Sequence, residues 1–263
     1  EFLRRMELIH EVAASKAHTQ GAVFVREQEV RVLEKTRAQV PQVMEDYAVT
    51  LMGTLMRLSR ERQYELLLEQ DVNWALGKAL AEAESELPAV NTVAIWGSLD
   101  GALAQGAKSI YQGASLVLAE NSFEACLLVE EGKVDVAVLS WEEAVLSLLE
   151  KHALFIQACS DTGFMALGAR LVVPRGPSRV SLLIHLPNRV ALAAWVFGVL
   201  GDLGLQVRVT RPLGDAFYLE FLAEDSSKVR RALYQIEQET EKIRFLGWFP
   251  SDLEASALLT QGV

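Results

Sequence analysis

Along residues 1–88, apolar positions recur every three or four residues. Phe2, Met6, Ile9 and Val12/Ala13 fall on one face and predict a first helix, broken by His18 to Gly21. A second, short helix is expected over 27–39, closed by Pro41. A third runs over 43–68, with Met44, Tyr47, Leu51, Leu55 and Leu58 on one stripe, and a further piece covers 74–86 before Pro88 and Asn91. Such amphipathic helices pack on one another or across a dimer. The texture changes at 91–175. Short apolar runs at 92–96, 115–119, 134–139, 155–158 and 164–173 read as strands, alternating with helical stretches to Ile110, over 122–131 and over 141–150. Pro174, Gly176, Pro177 and Ser178 read as a linker. Residues 179–255 then give strand 180–186, helix 190–200, strands 205–209 and 217–222, helix 227–240 and strand 243–249. That order is a β-α-β-β-α-β unit of the ferredoxin-like kind, more often a binding or regulatory module than a catalytic one. The fold class is therefore multidomain: an all-α region at 1–88, a small α/β lobe at 91–175 and a βαββαβ unit at 179–255.

Composition narrows the function classes. The chain has 263 residues, 51% hydrophobic and 23% charged, with a formal net charge of -10. That is globular, and it disfavours a broad nucleic-acid surface, which needs clustered positive charge. One or two placed arginines still suffice for a small carboxylate. Cys126 and Cys159 are too few for a disulfide scaffold or a four-thiolate zinc site. His10, His18, His152 and His185 lack metal-ligand spacing, and Gly97, Gly101 and Gly106 lack the spacing of a nucleotide loop. The longest apolar stretch, 191–205, carries Gly198, Gly201 and Asp202 and falls short of the roughly 18 apolar residues of a membrane span. With no secretory signal visible, a cytoplasmic location is expected. The sequence opens at Glu1 already in helical pattern, so a preceding segment is expected.

Several motifs resemble one known family. Arg4-Arg5-Met6-Glu7-Leu8-Ile9-His10-Glu11-Val12-Ala13-Ala14-Ser15-Lys16 resembles the first helix of an AroQ-type chorismate mutase. Val93-Ala94-Ile95-Trp96-Gly97, Ser122-Phe123-Glu124 and Glu130-Glu131-Gly132-Lys133-Val134-Asp135 resemble prephenate dehydratase. Ser181-Leu182-Leu183 through Leu186-Pro187-Asn188, and Leu246-Gly247-Trp248-Phe249-Pro250, resemble the first and last strands of its ACT domain. The order of all three is similar to the bifunctional chorismate mutase/prephenate dehydratase (P-protein) family of phenylalanine synthesis. The resemblance implies an AroQ-like helical domain, a remnant dehydratase-like lobe and an ACT-like dimerisation module.

The chemistry so implied needs no cofactor and no metal. Chorismate is a dianion that rearranges through a cyclic transition state, so a site must hold two carboxylates and place a donor on the ether oxygen. Arg5 and Lys16, eleven residues apart on one helix, fall within about 20° of each other and roughly 16 Å apart. The resemblance makes Arg5 a carboxylate-binding residue and Lys16 the donor near the ether oxygen. It makes Glu29 the contact to the substrate hydroxyl and Gln63 the partner of that Lys, with Ser59 one turn earlier on the same face. A further cation is expected from the start of the first helix, in dimers from the partner subunit.

Departures from the family pattern are equally specific. Val25 and Gln28 stand where the family has Asp and Arg, and Gly163 replaces the Arg of its Thr-Arg-Phe triplet, here Thr162-Gly163-Phe164. Ser140-Trp141-Glu142 stands where the family has Glu-Asn-Ser, while Glu120-Asn121-Ser122 spells those letters ahead of a helix. Only one lobe fits between Thr92 and the linker, so the cleft for prephenate is absent and dehydratase activity is expected to be lost. Val190 and Ala191 replace the Pro-Gly of the family's phenylalanine-sensing turn, and Thr210-Arg211-Pro212 is what remains of its second motif, so phenylalanine binding is expected to be weak or absent. The expectation is a chorismate mutase-like isomerase, homodimeric through its helical and ACT-like domains, acting on a small dicarboxylate. Two alternatives are a non-catalytic protein with a regulatory or protein-binding role near aromatic amino acid synthesis, and a mutase for a chorismate-related dianion.

Overall fold

The computed structural model describes residues 3–4, 7–9, 11, 23–141, 148–149, 151–160, 163–185 and 189–251, with backbone alone over 189–193. Helix α1 spans Arg26–Ala38; Glu27 and Glu29 in its first turn and Lys35 and Arg37 in its last oppose the helix dipole. A 3-10 turn at Gln42–Met44 follows Pro41 and leads into α2, Glu45–Gln70, about 39 Å long. Helix α3, Ala75–Glu82, stops short of the expected 86. Residue 84 leaves the helix to bridge Val172 in parallel, and its carbonyl accepts from the Val173 amide at 2.9 Å.

The middle region builds one five-stranded sheet from β1 (Thr92–Trp96), β2 (Ser115–Ala119), β3 (Val136–Ser140), β4 (Phe155–Cys159) and β5 (Phe164–Gly168). Its order is β2-β1-β3-β5-β4, with the first three strands parallel and β5 antiparallel to β3 and β4. Strand β5 ends five residues earlier than the pattern predicts, because the chain turns away to make the Glu84–Val172 bridge. Helix α4, Ala102–Ile110, covers one face through Ala104, Ala107 and Ile110. Helix α5, Ser122–Glu130, covers part of the other. Asn121 is its N-cap, its side-chain oxygen accepting from the Glu124 amide at 2.9 Å. The Glu-Asn-Ser letters at 120–122 thus serve a helix start.

The C-terminal unit runs β6 (Ser178–His185), α6 (Arg189–Asp202), β7 (Val207–Leu213), β8 (Ala216–Leu222), α7 (Ser226–Glu239) and β9 (Lys242–Pro250). Its antiparallel sheet has the order β7-β8-β6-β9. The pattern ended β7 at Val209, yet it continues through Pro212. It is an edge strand, where a residue without an N–H is tolerated. Side chains alternate between two cores. Val180, Leu182, Ile184, Leu219 and Phe221 face α6 and α7, whereas Leu183, Tyr218, Leu246 and Phe249 pack with Leu139, Ile156 and Met165 of the lobe. The sheet is therefore covered on both sides. Ser178, expected in a linker, begins β6 and is buried, accepting a 2.8 Å hydrogen bond from the Trp248 indole.

Helix α2 lies along the far side of α6 and α7. Arg57 pairs with Asp202, Arg231 pairs with Glu61 at 2.9 Å and Glu65 at 3.2 Å, and Tyr234 donates to Asp71 at 3.1 Å. The molecule thus stacks α4, lobe sheet, C-terminal sheet, α6/α7 and α2. No helix of the described residues is long and apolar enough to cross a membrane.

Candidate active site

Helix α2 is amphipathic over its middle, but its buried arc is not purely apolar. Met56, Ser59, Arg60, Gln63, Tyr64 and Leu66 are all buried. At 100° per residue, Ser59 and Gln63 share one edge of this arc, and Arg60 and Tyr64 share the next. Ile9 packs against Leu66 at the Ser59 edge, bringing the first helical segment alongside α2. The Ser59 hydroxyl donates to the Leu55 carbonyl at 2.6 Å. Gln63 Nε2 donates to the Ser59 carbonyl at 3.2 Å, and among the described residues Gln63 Oε1 is buried without a hydrogen-bond partner.

Glu29 comes to this arc from α1. It is half-buried and accepts a hydrogen bond from Arg60 Nη1. Arg60 is the hub. Its side chain is only 7% exposed, its Nε lies 3.3 Å from Glu239 Oε1, and its guanidinium sits over the Phe24 ring at 4.8 Å. Glu239, the last residue of α7, has a fully buried side chain that also accepts from Gln235 Nε2 at 3.3 Å. Burial pushes the Glu239 carboxyl up to about 7; Arg60 and the hydrogen bonds from Tyr64 and Gln235 oppose that rise, and Glu29 adds to it. The Tyr64 phenol is pushed far above its ordinary range, first by burial and then by the Glu239 charge.

Of the residues singled out in the sequence, Glu29 is brought to Arg60, while Ser59 and Gln63 lie on the adjoining edge of the buried arc of α2. Arg5 and Lys16 lie outside the described residues. Val25 is the extended N-cap residue of α1, without a side-chain cap, and both Val25 and Gln28 are exposed. Arg60 and Glu239 were not anticipated. The signal was present in both helices: each charge sits in register with an apolar stripe, Arg60 four residues after Met56 and Glu239 three after Ile236.

Residues 2–64 match the family chorismate mutase type II. The mutase-type segment contains Glu29, Ser59, Arg60 and Gln63 and ends within α2; Glu239 lies outside it. A search of curated proteins finds no match. Among solved structures, one described as GqqA, a novel type of quorum quenching acylases, gives a TM-score of 0.53 at 17% identity, covering 63% of this chain and 97% of that chain. Prephenate dehydratase in complex with L-Phe from Arthrobacter aurescens gives 0.52 at 12% identity, covering 65% of this chain and 92% of that chain. At these identities the likeness is one of fold. The α/β lobe and ACT-like sheet beyond the mutase-type segment have a fold related to that of prephenate dehydratases.

The other positions of interest lie at the ends of strands β3 and β5. Gly163 is exposed with φ of +87°, and its carbonyl accepts from the Trp141 amide at 2.8 Å. Thr162 lies outside the described residues. Trp141 meets Tyr218 edge-on at 5.4 Å and carries the Arg211 guanidinium on its face at 3.8 Å. In the ACT-like unit, the backbone places Val190 and Ala191 in the first turn of α6, while 186–188 lie outside the described residues.

Proposed function

We propose that the helical region is a chorismate mutase-like isomerase, converting chorismate to prephenate by a non-covalent pericyclic rearrangement. The observation that carries this reading is that Glu29, Ser59 and Gln63 fall inside the segment that matches chorismate mutase type II, with Glu29 bonded to Arg60 and Ser59 and Gln63 on the buried arc of the same helix as Arg60. Arg5 binds a substrate carboxylate, and Lys16 donates to the ether oxygen as its bond breaks. Gln63 assists: its Nε2 has two N–H groups, and the bond to Ser59 uses one. Glu29 accepts from the substrate hydroxyl, and Ser59 lines the carboxylate end. Rate acceleration comes from fixed charges and donors that complement the transition state, with no proton transfer. The lobe at 91–175 is a remnant without dehydratase activity, in keeping with Gly163 in the triplet and with Arg211 lying over Trp141.

The exposed apolar stripe of α2 supports a homodimer through the helical region. A non-catalytic, regulatory reading draws on the exposed Val25 and Gln28, which supply neither acid nor cation. One assay decides. Loss of chorismate absorbance with the full-length protein, forming prephenate and no phenylpyruvate, is the expected result, and Lys16→Ala lowers kcat/KM by more than about a hundredfold. No turnover at high enzyme concentration overturns the isomerase reading. Turnover of a related dianion in place of chorismate reassigns the substrate.

A further inference from the structure

We infer that Glu239, contributed by the C-terminal unit, is a positioning residue of the helical site: it holds Arg60 in place, and Arg60 orients Glu29. The inference rests on the isomerase reading and adds to it a residue from outside the mutase-type segment.

The argument begins with α1, which buries no residue. The side facing α2 presents Glu29, Leu33 and Thr36, all half-buried, and Thr36 spends its hydroxyl on its own helix, donating to the Val32 carbonyl at 2.9 Å. Leu33 gives α1 an apolar anchor there and Arg37 pairs with Glu45 near its far end, while at the near end Glu29 is held by its hydrogen bond from Arg60. A guanidinium so far from water is stable only when its charge is paired. Glu29 takes Nη1 and Phe24 covers one face; Glu239 pairs with Nε by charge alone at 3.3 Å, outside hydrogen-bonding geometry. Without Glu239, the Nε side of a buried cation has no anion among these contacts, and the side chain is free to swing off Glu29.

Glu239 is not required to join the two units. Arg57–Asp202, Arg231 with Glu61 and Glu65, and Tyr234–Asp71 span the same seam. A structural role and a positioning role therefore separate. Cutting the seam at Arg231 removes two ion pairs and leaves Arg60 untouched.

The test compares chorismate turnover by the full chain, Glu239→Ala, Glu239→Gln and Arg231→Ala, with folding checked by circular dichroism. Glu239→Ala is expected to lose about tenfold or more in kcat/KM, and Arg231→Ala to stay within about twofold. The groups facing the Glu239 carboxyl are Arg60 and Tyr64 from α2, Glu29 from α1 and Gln235 from its own helix. The wild type should lose kcat/KM as pH falls through about 7, as protonation releases Arg60, and Glu239→Gln should lack that limb. If Glu239→Ala does not fold, Glu239→Gln decides through this limb. Wild-type kcat/KM in Glu239→Ala, an equal loss in Arg231→Ala, or an unchanged limb in Glu239→Gln overturns the inference. Should the wild type turn over no chorismate, the isomerase reading fails by itself. The positioning claim is then judged by urea unfolding, with the Glu29–Arg60 coupling measured from E29A, R60A and the double variant, with and without E239A. A coupling that falls by more than about half supports it, and an unchanged coupling overturns it.

Discussion

A single buried carboxyl gives the molecule a predictable response to pH. Glu239 is held near 7 in the folded state against an ordinary value of 4.5. Below about 4.5 it is protonated in both states. Between there and about 7, only the unfolded chain ionises. The Glu239 contribution to stability therefore falls as pH rises across that window, by about 3 kcal/mol in total, and is constant above it. Urea denaturation from acid to neutral pH should show this slope in the difference between the wild type and Glu239→Gln. Glu29, Ser59 and Gln63 could be singled out in the sequence because their types and order resemble those of a known site. Arg60 and Glu239 were not, because a pairing between residues 179 apart leaves no local pattern. Only the misplaced charge on each apolar stripe marks it.

Among the elements, the contact between β4 and β9 is the most tightly specified. A Cβ at Gly247 would stand 2.3 Å from the Ile156 carbonyl oxygen and 2.9 Å from its amide nitrogen. Backbone meets backbone there, so no flexible side chain can yield. Gly247→Ala should force β9 and β4 apart and destabilise the protein by about 2 kcal/mol or more, read as a lowered urea midpoint. Several strands were read from the sequence within a residue or two, since continuous apolar runs bounded by Gly, Asn and Pro are hard to mistake. The misread ends have long-range causes. Helix α3 and strand β5 both stop where residues 84 and 172 pair, and neither segment announces its partner. Strand β7 outlasts its apolar run because β8 supplies hydrogen bonds past Val209.

For the whole molecule, the informative surface is the start of α2. Val43, Tyr47 and Leu51 are 79%, 71% and 63% exposed in the single chain. A contiguous apolar stripe of this kind is uncommon on a monomer. The proposed homodimer accounts for it. Analytical ultracentrifugation should find a dimer whose dissociation constant rises about a hundredfold or more in a Tyr47→Glu, Leu51→Glu variant, while the single chain keeps its helical circular dichroism. The stripe was legible as amphipathic from the sequence. Its exposure was not, because the pattern of one chain does not say whether the second surface is its own or another copy's.

The C-terminal sheet has no free face. Its β6, β8 and β9 side chains alternate between the α6/α7 core and the lobe core. The proline- and glycine-containing stretch at 174–178 reads as a seam in the gene, but the fold does not come apart there. Severing the chain at that point would strip the lobe of one wall and lay bare Leu183, Tyr218, Leu246 and Phe249 on the other piece. Neither half would inherit a complete interior. On the proposed reading, in which the lobe has no dehydratase activity, it would still be retained as the packaging of its neighbour, and selection acting on the C-terminal unit would preserve its shape while leaving its other positions free to drift.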